Sequence, residues 1–261
     1  MAESVLVQRD GGVAIVTLNR PDVLNALDAD TAEALRDAAY DLEADGDVRC
    51  VVIRGAGRGF MAGGDIAWFR SHADTLERSI GAMMDQYHTA VRVLHRMAKP
   101  VIGQLHGPVA GAGMSLALSV DLAIAAEDTV FAIGYANLGT SPDGGATWFL
   151  PRLVGRRKAL EIALLGDRIG AEDAGRLGLV NRVVPAAELE AETMTLARRL
   201  ADGPTLAHGA AKRLIGQAFD TDLDAQLEAE RSAFMGATRT ADFREGIDAF
   251  AAKRKPDFRG T

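Results

Sequence analysis

The spacing of apolar and polar positions lays out the first half of the chain. Val5-Leu6-Val7 and Val13-Ala14-Ile15-Val16-Thr17-Leu18 are short apolar runs joined by Asp10-Gly11-Gly12, which predicts a hairpin closed by a glycine turn. Between 28 and 45 the apolar residues fall at 32, 35, 38, 39 and 42, the spacing of one helical face. Val48 to Ile53 then predicts a strand, and a mixed polar and apolar stretch over roughly 76 to 97 a long helix. A further strand is expected at Val101-Ile102-Gly103-Gln104-Leu105, followed by a glycine turn and a short helix. Strands follow at Asp121-Leu122-Ala123-Ile124-Ala125 and near Val130-Phe131.

From Asp143 onward the pattern is mainly helical, with one short strand at Leu179-Val180-Asn181-Arg182-Val183-Val184. Pro204 after Gly203 opens another helix, with apolar positions at 207, 211, 214, 215 and 218. Strand pairs followed by helices predict an α/β domain, and the break near 196 to 204 separates it from C-terminal helices. There is no low-complexity segment and no repeat at the level of sequence.

Composition adds limits rather than a function. The 261 residues are enough for a substantial core, and 48% hydrophobic with 25% charged residues is ordinary for a globular chain. A net charge of −7 argues against nucleic acid or an anionic membrane as partner. The single cysteine, Cys50, excludes an internal disulfide, and a reducing cytoplasm is the expected compartment. Met1-Ala2-Glu3-Ser4 shows no basic region leading into an apolar one, so no signal peptide is expected. Residues 101 to 120 carry no formal charge, but Gln104, His106, Pro108 and the glycines favour a buried strand-turn-helix over a membrane span.

Two glycine-rich turns carry the chemistry: Gly59-Phe60-Met61-Ala62-Gly63-Gly64-Asp65-Ile66 and Gly107-Pro108-Val109-Ala110-Gly111-Ala112-Gly113-Met114. Each follows an apolar strand-like run and leads into a helical pattern. Such a junction leaves unpaired N–H groups at the positive end of a helix, and two facing each other would form an oxyanion hole. Asp143 lies downstream in the turn Gly139-Thr140-Ser141-Pro142-Asp143-Gly144-Gly145, either as a loop-stabilising aspartate or as a pocket base.

With these motifs the chain resembles the crotonase (enoyl-CoA hydratase/isomerase) superfamily over nearly its whole length. Further matches are Leu18-Asn19-Arg20-Pro21, Leu24-Asn25-Ala26-Leu27, Leu164-Leu165-Gly166-Asp167-Arg168-Ile169, Ala174-Gly175-Arg176-Leu177-Gly178-Leu179-Val180, Phe243-Arg244-Glu245-Gly246 and Ala251-Ala252-Lys253-Arg254-Lys255-Pro256. Within it, Pro142-Asp143-Gly144-Gly145 with Thr147-Trp148-Phe149-Leu150-Pro151-Arg152 most resembles the ring-1,2-epoxyphenylacetyl-CoA isomerase-like branch. The resemblance implies a ββα spiral acyl-CoA-binding core over 1–196 and a C-terminal helical oligomerisation region over 197–261. It also implies a homotrimer or a dimer of trimers.

The resemblance implies, residue by residue, oxyanion donors at the backbone N–H groups of Gly64 and Ala112, and a catalytic aspartate at Asp143. CoA contacts fall at the backbone around Asn25, Ala26, Ala62, Gly64 and Ile66, with Phe234 and Lys253 reaching in from a neighbouring subunit. Hydratases of the family use two glutamates, and Ser115 and Tyr135 stand at those positions, which argues against ordinary hydration. His88 matches a histidine that acts beside the nucleophilic aspartate in the family's 4-chlorobenzoyl-CoA dehalogenase, so His88 and Tyr135 are further candidates for the chemistry. A structural or solvent-facing histidine is the competing reading of His88, and His95 lies on the same helix face. Asp65 reads equally as a helix cap or a ligand contact. Trp68, Phe69 and Trp148 are candidates for lining an acyl pocket.

His72, His106 and His208 have no cysteine or carboxylate at metal-ligand spacing, so no metal is expected, and CoA would enter as part of the substrate rather than as a cofactor. The leading expectation is therefore an acyl-CoA isomerase acting on an enoyl-CoA or a ring-epoxide aryl-CoA. An enoyl-CoA hydratase, a dehalogenase-like hydrolase and a non-catalytic CoA-ester binder remain the alternatives.

Overall fold

The computed structural model describes residues 3–261. Strands β1 (Val5–Asp10) and β2 (Val13–Leu18) form the expected hairpin, and helix α1 (Ala29–Ala44) follows with Asp28 capping it by accepting from the Thr31 N–H. Next come β3 (Cys50–Gly55), the short helix α2 (Ile66–Ser71) and the long helix α3 (Leu76–Arg96). The uncharged run over 101 to 120 resolves into β4 (Val101–Leu105), β5 (Pro108–Ala110) and α4 (Ala112–Ser119). Among the described residues no helix is long and apolar enough to cross a membrane.

The chain continues through β6 (Leu122–Ala126), β7 (Val130–Ala132), α5 (Ala146–Leu165), β8 (Ile169–Gly170), α6 (Ala171–Leu177) and β9 (Arg182–Val184). Helix α7 (Leu189–Ala201) precedes three C-terminal helices, α8 (Thr205–Gln217), α9 (Leu223–Ala237) and α10 (Ala241–Ala251).

Two sheets wind through this order. The larger runs β1-β2-β3-β4-β6-β9, parallel except at the β1/β2 hairpin, and the smaller runs β5-β7-β8. Each of the middle turns gives one strand to each sheet before a helix: β4, β5, α4 and then β6, β7, α5. In the preceding turn the second-sheet strand is reduced to Met61, which bridges to Val109 of β5.

Side-chain alternation explains why both faces of the large sheet are covered. Val51 and Ile53 of β3 point into the main core with α1 and α3, while Cys50 and Val52 point to Met194, Ala197 and Ala201 of α7. Burial there pushes the Cys50 thiol up to about 12, so it behaves as a small apolar side chain. Lys99, itself buried, closes the end of α1 by donating to the carbonyls of Leu42, Glu43 and Asp45 at 2.5, 3.2 and 2.5 Å.

The division expected at 196/197 falls inside α7, whose apolar face belongs to the sheet on both sides of that point. The chain leaves the sheet at Asp202-Gly203, just before Pro204. Arg49 ties the two parts by donating to Thr205 Oγ1 at 2.9 Å, Gly203 O at 2.5 Å and Phe258 O at 3.0 Å.

Candidate active site

The two glycine turns lie against each other. A Cβ on Gly111 would stand 3.2 Å from the Cα of Gly63, and the main chain of Met61 pairs with Pro108 and Ala110 on either side. Gly63 (φ +105°) and Gly111 (φ +50°) hold left-handed backbone that other residues rarely adopt. Gly113 could carry no side chain, because a Cβ would sit 2.1 Å from the Met61 carbonyl oxygen.

This crowding sets the direction of two amides. Leu27 and Gly64 form a parallel bridge in which the bonds run from Leu27 N to Gly63 O (2.7 Å) and from Asp65 N to Leu27 O (2.8 Å). That pattern bypasses the Gly64 N–H. Ala112 begins α4, so its N–H has no partner one turn back. Among the described residues neither amide donates to a protein acceptor. All eight residues of α4 are buried, which fixes that helix terminus firmly.

A polar network stands beside α4. Tyr135 O–H donates to Asp143 Oδ1, and Ser115 Oγ lies 3.0 Å from the Tyr135 oxygen while donating to the Asp143 carbonyl at 2.9 Å. His88 Nε2 is 3.2 Å from Asp143 Oδ2 and accepts from the Gly144 N–H at 3.1 Å. Burial, and then the neighbouring Asp143 charge, push the Tyr135 hydroxyl far above its ordinary value, so it stays a donor. Gly144 (φ +60°) permits the loop to press close, since a Cβ there would meet the Tyr87 ring at 2.6 Å. Tyr87 is fully buried and donates to the Ala112 carbonyl at 2.6 Å, bracing the first turn of α4.

The structure thus brings His88, Ser115, Tyr135 and Asp143 together, with His88 in contact with Asp143. A carboxylate between a hydroxyl and an imidazole can accept a proton and return it. His88 and Gly144 also border a cleft of about 650 Å³ whose walls include Trp148, Phe149 and His95. These three rings pack edge to face with centroids 4.8 to 5.3 Å apart, and the Arg152 guanidinium lies 3.7 Å over the Trp148 ring. Phe69 covers the Gly64 turn, where a Cβ would meet its ring at 2.6 Å, and Trp68 packs against Phe69 and His72.

The remaining expected residues separate into groups. Asn25, in left-handed backbone, is a structural hub: its amide donates to the carbonyls of Ala56, Gly59 and Phe60, and its oxygen accepts from Arg20 N. Ala26 is buried beside it, Ala62 donates its N–H to Leu24 O at 3.0 Å, and Ile66 is exposed. Asp65 caps α2 by accepting from Trp68 N at 3.1 Å. Phe234 and Lys253 belong to the C-terminal helices; Phe234 is exposed and packs edge to face on Phe243, and Lys253 follows α10 in left-handed backbone. Among the described residues, no group of three or more His, Cys, Asp or Glu is gathered as a metal site would require.

Sequence reasoning gave no role to Tyr87 or Arg20, the latter only part of a motif. Arg20 would have been found by asking what neutralises two helix-capping aspartates so close to a glycine turn.

Comparison with known proteins identifies the family and the fold. The family model described as enoyl-CoA hydratase/isomerase matches residues 8–261. The 1,2-epoxyphenylacetyl-CoA isomerase of Escherichia coli (strain K12) is 40% identical over 261 residues, covering 100% of both chains. The crotonyl-CoA hydratase of Syntrophomonas wolfei subsp. wolfei is 35% identical over 257 residues, 98% of each. Among solved structures, the enoyl-CoA hydratase from Bacillus anthracis superposes with a TM-score of 0.94 at 31% identity, covering 99% of this chain and 100% of that one. The fold is therefore the ββα spiral of these enzymes, and the chain belongs to the enoyl-CoA hydratase/isomerase family.

Proposed function

We propose that the chain is an acyl-CoA isomerase that moves a proton with Asp143 while Gly64 and Ala112 hold the thioester oxygen. The observation that carries this reading is that Ser115, Tyr135 and His88 flank Asp143, with no second carboxylate in that hydrogen-bond network among the described residues; Asp85 lies on the wall of the adjoining cleft. Splitting water across a double bond calls for an acid and a base acting together. Shifting a double bond calls for one group that takes a proton and returns it elsewhere.

In this mechanism the thioester oxygen sits between the two unpartnered amides. Removal of the α-proton builds charge on that oxygen, and preorganised donors lower the cost of that charge. Asp143 Oδ2 takes the proton. Tyr135 donates to Oδ1 throughout, so the carboxylate keeps its orientation, and His88 faces the reacting oxygen. On a 3-enoyl-CoA the proton leaves C2 and returns at C4. On a ring epoxide, the substrate named for the Escherichia coli relative, the same carboxyl assists opening of the three-membered ring. CoA is part of the substrate, bound along Asn25, Ala26, Ala62 and Ile66, with Phe234 and Lys253 supplied by a neighbouring subunit. No metal or separate cofactor enters.

The same reading includes assembly on threefold symmetry. The C-terminal region exposes Phe250, Phe219, Leu223 and Phe234 at 88, 72, 70 and 64%, and Phe250 with Leu206 and Ile247 lines an apolar groove of about 870 Å³ among α8, α9 and α10.

A second reading keeps a specific observation: the 3.2 Å contact between His88 and Asp143 also suits an aspartate nucleophile with a histidine that activates water, as a hydrolase would use. Rates on a 3-enoyl-CoA, on crotonyl-CoA and on an aryl-CoA carrying a leaving group separate the two. Fast isomerisation with weak hydration supports the isomerase. Hydration of crotonyl-CoA as fast as isomerisation defeats it, and turnover in ¹⁸O-water that leaves label on Asp143 establishes the nucleophile.

A further inference from the structure

We propose that Arg20, remote from the acid/base group, is a positioning residue that sets the Gly64 amide; the inference rests on the oxyanion role proposed above. The Arg20 guanidinium reaches Asp65 Oδ2 at 2.9 Å, Asp28 Oδ2 at 3.0 Å and the Ala26 carbonyl at 2.5 Å. Those three acceptors surround the bridge between Leu27 and Gly64. Ala26 and Asp28 flank Leu27 on one strand of the bridge, and Asp65 follows Gly64 on the other.

The division of oxygen atoms is consistent. Asp28 Oδ1 accepts from the Thr31 N–H at 2.9 Å and Asp65 Oδ1 from the Trp68 N–H at 3.1 Å, so each carboxylate caps a helix with one oxygen. The other oxygen of each is left for the single guanidinium. Both aspartates are nearly buried, at 9 and 8% exposure, and an unpaired charge there would be costly. Burial alone would raise the Asp65 carboxyl; the Trp68 N–H and then Arg20 outweigh it and hold the group below its ordinary value. A planar fork can serve two carboxylates and a carbonyl at once, which the point charge of a lysine cannot.

The consequence is mechanical. The Gly64 N–H has no protein acceptor of its own, but it shares a rigid peptide plane with the Gly63 carbonyl, so its direction is set by the bond from Leu27 N to Gly63 O. Arg20 fixes Leu27 by holding the Ala26 carbonyl and Asp28 on either side of it, and it ties Asp65, next to Gly64, to the start of α1. Releasing that anchor leaves the fold and Asp143 intact while letting the amide swing away from the thioester oxygen.

Two variants test this. Asp65→Asn retains an oxygen to cap α2 but turns the Arg20 acceptor into a donor. Arg20→Lys keeps the charge without the fork. The readouts are kcat for a 3-enoyl-CoA, Tm, and the carbonyl stretch of a saturated acyl-CoA labelled with ¹³C at the thioester carbon. In the wild-type protein the bound band should lie below that of the free ester. In both variants it should move back toward the free value while kcat falls by about 10- to 100-fold, the scale of an ångström-sized misplacement. Folded variants with a wild-type band and kcat overturn the role of Arg20. Should Arg20→Lys fail to fold, Asp65→Asn decides alone. A wild-type band that does not move on binding overturns the oxyanion reading itself, and Arg20 with it.

Discussion

Replacing Asp143 by asparagine isolates chemistry from structure better than any other change at this site. The asparagine oxygen can occupy the Oδ1 position and accept from Tyr135, and its NH₂ faces His88 Nε2 across the present 3.2 Å gap, where it shares the lone pair that accepts from Gly144 N–H. The Ser115 bond goes to the main-chain carbonyl and is untouched. The structural cost should therefore stay within about 0.5 kcal/mol. What disappears is the capacity to accept a proton. General acid/base groups contribute about 10²–10⁴ in rate, which is roughly 3–5 kcal/mol of barrier. Steady-state isomerisation of a 3-enoyl-CoA, loss of solvent deuterium incorporation, and an unchanged Kd for a saturated acyl-CoA are the expected results. A variant with normal Tm and a rate within threefold of wild type would refute the assignment and leave Asp143 as a turn former.

Tyr135→Phe removes the donor to Oδ1 and should cost roughly 1–3 kcal/mol of transition-state stabilisation, read as kcat/KM, with Ser115→Ala costing less; an unchanged kcat/KM in Tyr135→Phe speaks against the network. Gly113→Ala should lower Tm by about 6 °C or more, since overpacking against the Met61 carbonyl is worth about 3 kcal/mol; a wild-type melting curve contradicts the close approach. Burial, aided by Lys212 and by Arg49 respectively, lowers the pKa of His95 and His208 below the unfolded value near ~6.5. Their stability contribution is then present above that value and lost as pH falls through the lower folded values. Tm should decline from pH 7 to 5, and less in His208→Gln; equal slopes would refute it. Sedimentation should give a trimer or hexamer, and a monomer at micromolar concentration would remove the shared CoA site.

The sequence exposed those parts of the structure that rest on local rules. The helix capped at Asp28, the hairpin at Gly11 and the two strand-to-helix turns follow from spacing and residue type, and each lies within two residues of its expected place. Asp143 stands out through the family motif around it, since a Pro-Asp-Gly turn by itself reads equally as a loop former. By contrast β5, β8 and α2 are too short, at three, two and six residues, to show a period. The contact of His88 with Asp143 spans 55 positions and depends on which face α3 turns to α1, which spacing alone leaves open. The exit from the sheet lies within the break expected near 196 to 204, and spacing does not narrow it further because α7 carries exposed arginines late in its length while Ala197 and Ala201 remain against the sheet.

The wholly buried α4 separates what this fold can change from what it cannot. The amide at its start is a main-chain group, walled in by the Met61 carbonyl and braced by Tyr87, so no substitution can retune it without repacking the core. On the proposed mechanism the groups that choose the reaction, at 88, 115, 135 and 143, are side chains from four segments, Ser115 among them standing on α4 itself. His88, Tyr135 and Asp143 are then the reagents that divergence or selection could exchange around a main-chain cradle, whereas Ser115 is bound to the packing of α4. A library at 88, 135 and 143 would test whether the reaction can be changed while α4 keeps its packing.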